Sequence, residues 1–184
     1  MDDEALMDKV RSGDEQAFSC LVMRYQGQIT RFTQRMLGNF TEAQDAAQET
    51  FIRLWMLRDR YRFCGGLKSY LFRIARNICL DMLRRSKIQV SLEGEDEIRS
   101  NQLSIEGHVM QRTFSSTVKQ AILNMPEPAR AVFCLSHYEG LTYREIAEIM
   151  DCPIGTVASR KASAVEMLRR RFAAWNEEEG ANGL

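Results

Sequence analysis

The sequence predicts an all-α fold, two small helical domains joined by a flexible acidic linker, and three features of the chain lead to it. Apolar residues recur at helical spacing almost throughout, whereas the alternating pattern of a half-buried strand is scarce. The 3 prolines fall only at element boundaries. Between Ile88 and Gly107 the periodicity lapses, and Glu93, Gly94, Glu95, Asp96, Glu97, Ser100, Asn101 and Glu106 give that stretch the composition of a linker. A chain of 184 residues has room for two cores, since domains usually run from about 50 to 250 residues.

The first helix is expected from about Asp14 to Leu37. Phe18, Leu21, Val22, Tyr25, Ile29, Phe32 and Met36 form one stripe there, and Gly38-Asn39 supplies a stop. Thr41-Glu42-Ala43-Gln44 has the pattern of a capping box, with the Thr hydroxyl accepting from a free backbone N–H and the Gln reaching back, so the second helix starts there and runs to about Arg58. An aromatic loop, Tyr61-Arg62-Phe63-Cys64-Gly65-Gly66, leads into a third long helix from about Leu67 to Lys87. These elements make a first domain over 1–87, followed by the linker over 88–107.

The second domain, 108–175, opens with a helix near His108 to Met125. Pro126-Glu127-Pro128 begins the next, which carries Val132, Phe133 and Leu135 to about Tyr138 before Gly140 ends it. Thr142-Tyr143-Arg144-Glu145 is a second capping box, and the short helix behind it places Ile146, Ala147, Ile149 and Met150 on one face. Asp151-Cys152-Pro153 turns tightly into a last helix from about Ile154 to Phe172 or Trp175. Residues 176–184, with Glu177-Glu178-Glu179-Gly180, are expected to be a disordered acidic tail.

The bulk properties exclude several classes. Lys and Arg number 25 against 25 Asp and Glu, so no uniformly basic coat is present and any nucleic-acid surface must be local. Cys20, Cys64, Cys79, Cys134 and Cys152 are odd in number and scattered, with no CxxC pair, which favours reduced thiols in a cytoplasmic protein over zinc or a disulfide framework. The acidic start MDDEALMDKV is no secretion signal, and no apolar run approaches the about 18 residues of a membrane span, so no membrane insertion is expected. His108 and His137 stand alone, without a metal motif, a phosphate loop or a nucleophile with a base partner, so no cofactor, no metal and no catalytic residue is expected.

Charge is concentrated in two places. From Arg53 to Lys87 the basic residues Arg53, Arg58, Arg60, Arg62, Lys68, Arg73, Arg76, Arg84, Arg85 and Lys87 meet only Asp59 and Asp81. Tyr61, Phe63, Tyr70 and Phe72 are interleaved, and cations with aromatic rings are what holds phosphates while stacking unpaired bases. The plainer reading is a solvated basic helix over an aromatic core; it suits Leu71 and Phe72 better than Tyr61 and Phe63, which sit beside the Gly pair. In the second domain the short helix, the turn and a helix bearing Arg160, Lys161, Arg169, Arg170 and Arg171 make a helix-turn-helix, whose second helix can enter a major groove. Gly155, Thr156, Ala158, Ser159 and Arg160 lie at the leading end of that helix.

Three stretches together resemble the extracytoplasmic-function sigma factors, the two-domain members of the sigma-70 family. They are Asp45-Ala46-Ala47-Gln48-Glu49-Thr50-Phe51-Ile52-Arg53-Leu54-Trp55; Tyr70-Leu71-Phe72-Arg73-Ile74-Ala75-Arg76-Asn77 with Asp81 and Arg84-Arg85; and Leu141-Thr142-Tyr143-Arg144-Glu145-Ile146-Ala147 with Gly155-Thr156-Val157. The resemblance implies an alternative sigma factor that joins core RNA polymerase to a promoter, with sigma domain 2 in the first half and sigma domain 4 in the second. It assigns Asp45, Gln48, Glu49 and Arg53 to docking on the clamp helices of the largest polymerase subunit, while the apolar side formed by Phe51, Leu54 and Trp55 makes Phe51 and Trp55 domain core on the plainer reading of the residues. Minus-ten recognition and strand opening would fall to Tyr61, Phe63, Tyr70, Arg73, Arg76, Asn77, Arg84 and Arg85, on duplex and then single-stranded DNA. Minus-thirty-five recognition would fall to Arg144, Gly155, Thr156, Ala158, Ser159, Arg160 and Lys161. Tyr70 stands where the family often has Trp. Lys161, Ser163 and Val165 depart from the family's last helix, and Lys161 would have to lay its methylenes on the Val157, Ala164 and Leu168 stripe with its ammonium outward. The resemblance further implies control by an anti-sigma factor, one form of which is membrane-anchored. A conventional regulator that binds an operator without polymerase is the competing reading, and the Arg53–Lys87 charge disfavours it; an enzyme is the third, with little in the sequence behind it.

Overall fold

The computed structural model describes residues 2–61, 66–93 and 109–181, and side chains over 2–61, 66–86, 88 and 116–173. Expectations for Arg62, Phe63, Cys64, Gly65, His108 and most of the 88–107 linker lie outside the described residues. Among the described residues every regular element is helical.

The first half contains α1 (Asp3–Arg11), α2 (Glu15–Leu37), α3 (Phe40–Met56), one 3-10 turn (Arg58–Arg60) and α4 (Gly66–Glu93). Helix α1 was not expected from the sequence. Asp2 caps it by accepting from the Ala5 N–H, Asp3 and Glu4 suit the positive N-terminal end, and Leu6, Met7 and Val10 are buried. Asp3 also accepts from the Tyr25 hydroxyl and from Arg24, at 2.5 Å, which ties α1 to α2. Helix α2 is the central element, in contact with α1, α3 and α4, and its buried stripe is the predicted one, with Leu21, Tyr25, Ile29, Phe32 and Met36. It ends at Gly38, whose φ of 80° is the left-handed conformation that favours glycine.

The start of α3 corrects the expected Thr41 capping box. Asn39 is the cap, accepting from the N–H groups of Thr41 and Glu42, because its short amide reaches both from an extended backbone. Helix α4 continues past Lys87 to Glu93, as no proline interrupts it and adding residues to an existing helix avoids a new nucleus. Phe32 of α2 meets Phe72 of α4 edge to face at 5.2 Å.

The second half contains α5 (Val109–Leu123), α6 (Glu127–His137), α7 (Tyr143–Met150) and α8 (Ile154–Ala181). Pro126 caps α6, and Pro128 sits in its first turn, where no N–H is missed. The second capping box forms as expected: Thr142 accepts from the Glu145 N–H, and Glu145 accepts from the Thr142 N–H at 2.8 Å. Asp151, at φ 51°, turns α7 into α8, and Ile146, Ile149 and Val157 close the core of the pair. Of the expected disordered tail, 182–184 lie outside the described residues; up to Ala181 the expectation is corrected, because α8 runs on through Trp175 and the glutamates, glutamate and alanine being good helix formers with no proline between them.

The two halves share one continuous buried cluster, from Leu6 in α1 to Ala164 in α8. Helix α2 packs on α5 and α6, and α4 packs on α7. At this seam lies Arg130, a buried cation on the apolar face of α6. Its guanidinium donates to the carbonyls of Met36, Leu123 (2.6 Å) and Met125 (3.0 Å). Met36 and Leu123 lie in the last turns of α2 and α5, where carbonyls lack intrahelical partners and a positive charge suits the helix end.

Candidate nucleic-acid interface

Three surfaces carry the residues singled out in the sequence. On α3, Ala43, Ala46, Ala47, Thr50, Phe51 and Leu54 face inward, as a 3.6-residue period requires. The opposite face presents Asp45, Gln48, Glu49, Ile52, Arg53 and Met56, with Glu49 and Arg53 linked along the helix at 2.8 Å. Phe51 is core, as expected. Trp55 is half-buried against Phe18, at 4.9 Å, with the Arg58 guanidinium 4.5 Å over its ring. Beside this face, Phe18, Val22, Gln26, Gln48, Ile52 and Trp55 line a shallow groove of about 540 Å³ between α2 and α3. The sequence pointed to the polar residues of α3; exposed Ile52 (44%) and Met56 (70%) add an apolar component that its pattern alone did not single out.

On α4, the core takes Leu67, Leu71, Phe72, Ala75, Ile78 and Cys79, so the plain reading of Leu71 and Phe72 holds. Asn77, Arg84 and Arg85 are exposed, and Arg73 is half-buried. Tyr61 and Tyr70 pack edge to face at 5.2 Å. Burial raises the Tyr70 hydroxyl above its ordinary range, so it stays protonated and a donor. Arg76 differs from its neighbours on α4. It is 15% exposed and its Nε lies 3.3 Å from Glu127 of α6, so the other half of the chain already occupies it.

On the helix-turn-helix, Gly155, Ala158 and Ser159 are exposed at the leading end of α8, with Thr156 half-buried beside them. Arg144 extends from α7 with 86% of its side chain exposed, only loosely paired with Glu148 at 4.0 Å. Arg160 is half-buried, with Nη1 3.6 Å from the Cys152 thiol. Lys161 is half-buried, its ammonium 5.1 Å from the centre of the Tyr143 ring, so a cation–π contact between α7 and α8 occupies it. Val157 and Ala164 are fully buried, as their spacing required, while Ser163 is exposed and Val165 half-buried. Arg169, Arg170 and Arg171 continue the basic surface along α8.

Among the described residues no group of three or more His, Cys, Asp or Glu side chains is placed to hold a metal ion. Cys79 and Cys134 are buried and pushed up to about 12 by that burial, far from a reactive thiolate. His137 is stacked on Phe133 at 5.2 Å. No described helix is long and apolar enough to cross a membrane. Arg130 and Glu139, which join the halves, were not marked in the sequence. Arg130 was detectable in principle, because it interrupts the apolar face of Ala129, Val132 and Phe133 where a charge is out of place without partners.

Comparison with known proteins gives a consistent result. The model of sigma-70 region 2 matches residues 21–88, and that of sigma-70 region 4 matches 116–168. The chain is 34% identical to the ECF RNA polymerase sigma factor SigW of Bacillus subtilis, over 89% of this chain and 93% of the relative. It is also 34% identical to the RNA polymerase sigma-H factor of Pseudomonas aeruginosa, over 90% of this chain and 91% of that one. Among solved structures, CnrH in complex with the cytosolic domain of CnrY superposes with a TM-score of 0.73 at 22% identity, covering 94% of this chain and 97% of CnrH. The sigma factor RpoE of Bartonella quintana, in complex with the anti-sigma factor NepR, gives a TM-score of 0.68 at 23% identity, covering 85% and 96%.

Proposed function

Because this chain belongs to the extracytoplasmic-function sigma factors of RNA polymerase, we propose that its three surfaces divide the work of initiation: α3 holds polymerase, α4 the minus-ten DNA and α8 the minus-thirty-five DNA. The observation that carries this reading is the coexistence on one chain of a polar-and-apolar outer face on α3 and two separate cationic helices. Asp45, Gln48, Glu49 and Arg53, with Ile52 and Met56 beside them, give α3 an apolar centre with a charged rim, the make-up of a protein interface. The clamp helices of the largest polymerase subunit are the surface it would meet.

Arg73, Asn77, Arg84 and Arg85 would take phosphates and base edges of the minus-ten element, with Arg76 joining them once it leaves Glu127. Tyr61 and Tyr70 supply rings for an unpaired base; Phe63 belongs to the same proposal. Arg144, Gly155, Thr156, Ala158, Ser159 and Arg160 would approach the duplex at the minus-thirty-five element, and Lys161 would act chiefly by fixing α8 against Tyr143. The boundaries proposed for the two working units remain 1–87 and 108–175.

Control by an anti-sigma factor is part of the proposal. It is supported by the fold neighbour RpoE having been solved in complex with one. The deciding experiment is reconstitution with core polymerase: specific transcripts from a cognate promoter are expected. A chain that fails to bind the core enzyme in a sedimentation assay overturns the reading. Operator binding as tight without polymerase as with it would favour a conventional regulator.

A further inference from the structure

Between α2, α5 and the end of α6 lies a cavity of about 500 Å³ that none of the three surfaces uses. Small-molecule sites commonly run from about 300 to 1,000 Å³, so it is large enough for a ligand. Val118, Ile122 and Leu123 of α5 give it an apolar side, and Arg31 and Arg35 of α2 with Lys119 of α5 line it with positive charge. No carboxylate is among the described residues that line it. Arg31 and Arg35 stand one turn apart on α2, a like-charged spacing that disfavours the helix unless something answers it. Arg35 is answered, with its guanidinium 3.3 Å from Glu139 and 3.8 Å over the Tyr138 ring. Neither Arg31 nor Lys119 has a salt bridge among the described residues. Glu139 also feels Arg31, but burial outweighs its cations and raises its carboxyl above the ordinary range, which makes it a weak counter-charge. Burial likewise keeps the Tyr138 hydroxyl protonated, so that residue adds no negative charge to the cavity.

We propose that this cavity binds a small organic anion, a flat apolar ring bearing one carboxylate or phosphate, with the head group on Arg31 and Lys119 and the ring against Val118, Ile122 and Leu123. The order of exposure suits that arrangement: Arg31 is exposed and Lys119 half-buried, whereas Ile122 is buried beneath them. An inorganic anion would leave the apolar side unused, and an uncharged ring would leave both cations unanswered. Apolar walls of low dielectric strengthen the field of such cations on a ligand between them. The site does not rest on the roles proposed for α3, α4 and α8, so its test needs neither polymerase nor DNA.

The test uses the full chain and anilinonaphthalene sulfonate, an apolar dye whose sulfonate stands in for the carboxylate or phosphate and whose fluorescence rises in an apolar site. Saturable binding is expected, weakening as sodium chloride rises. In the double variant Arg31→Gln/Lys119→Gln the affinity should fall about tenfold. The uncharged analogue N-phenylnaphthylamine should bind more weakly than the sulfonate, and equally to both chains, because the cavity itself is unchanged. Val118→Trp, which fills the space, should exclude both dyes. Displacement of the sulfonate by naphthoate or by naphthyl phosphate tells which head group is preferred, and displacement by neither overturns the proposal. So does a sulfonate affinity that the double substitution or Val118→Trp leaves unchanged, since the dye then sits elsewhere, or an uncharged analogue bound as tightly as the sulfonate. Should a substituted chain lose its helicity, the salt series on the unsubstituted chain decides: fluorescence that does not saturate, or an affinity indifferent to salt, overturns the site.

Discussion

The cations at the seam and those on the outer surfaces of α4 and α7 are the same residue type with opposite employment. Arg35, Arg76 and Arg130 are largely covered and spend their donors on Glu139, Glu127 and main-chain carbonyls. Arg84, Arg85 and Arg144 stand in solvent. The difference teaches that a run of positive charge measures potential binding surface and not available surface. Which cations are available depends on what the remainder of the chain sets against them.

The comparison is sharpened most by Arg130→Met. Removing the donor leaves three carbonyls at the seam without it, and a loss of about 3–5 kcal/mol is expected in a urea titration. Arg144→Ala should cost less than about 0.5 kcal/mol by the same measurement, as an exposed cation carries little stability. Equal losses would break the distinction. On α3, Ile52→Glu should leave stability within about 0.5 kcal/mol but weaken core polymerase binding by about 2 kcal/mol, roughly thirtyfold, in a competition assay. Loss of stability instead would return Ile52 to the core.

For DNA, Arg84→Ala and Arg85→Ala should each reduce the dependence of log affinity on log salt by about one unit in a salt titration with promoter DNA. Arg144→Ala should do the same if α7 touches phosphate, and slopes unmoved by all three would remove the outer cations from the interface. At the helix-turn-helix start, Thr142→Ala should cost about 1 kcal/mol in the same urea titration. Hydrogen bonds from the Thr142 side chain and backbone hold the Glu145 carboxyl below the usual carboxylate range. With the folded value depressed, its stabilisation is present above the unfolded value near pH 4.3 and fades as pH falls through the folded one. A Glu145→Gln chain should therefore show a flatter acid limb in a pH series of thermal melts.

Most of the architecture was legible because helical periodicity survives in single sequences. The stripe of α2, the second capping box and the Val157–Ala164 register all follow from residues a few positions apart. Helix α1 was missed because its Leu6, Met7 and Val10 fill only two turns, a signal too short to stand out before α2 is there to cover it. Charge density alone points to disorder after Trp175, but glutamates on an existing helix continue it readily, and α8 extends to Ala181. At the candidate site, outward residues such as Arg84 and Ser159 were found by type and spacing. The occupation of Arg76 by Glu127 was not, since the pair is 51 residues apart and only tertiary packing joins them.

The lock at Arg130 has one more property. It is made to peptide oxygens, which every amino acid carries, so methionine or leucine at 36, 123 and 125 could be exchanged for other apolar residues of similar bulk while the fastening persisted. Relatives could therefore diverge widely in these partners yet retain the junction, provided the arginine and the ends of two helices stayed in register.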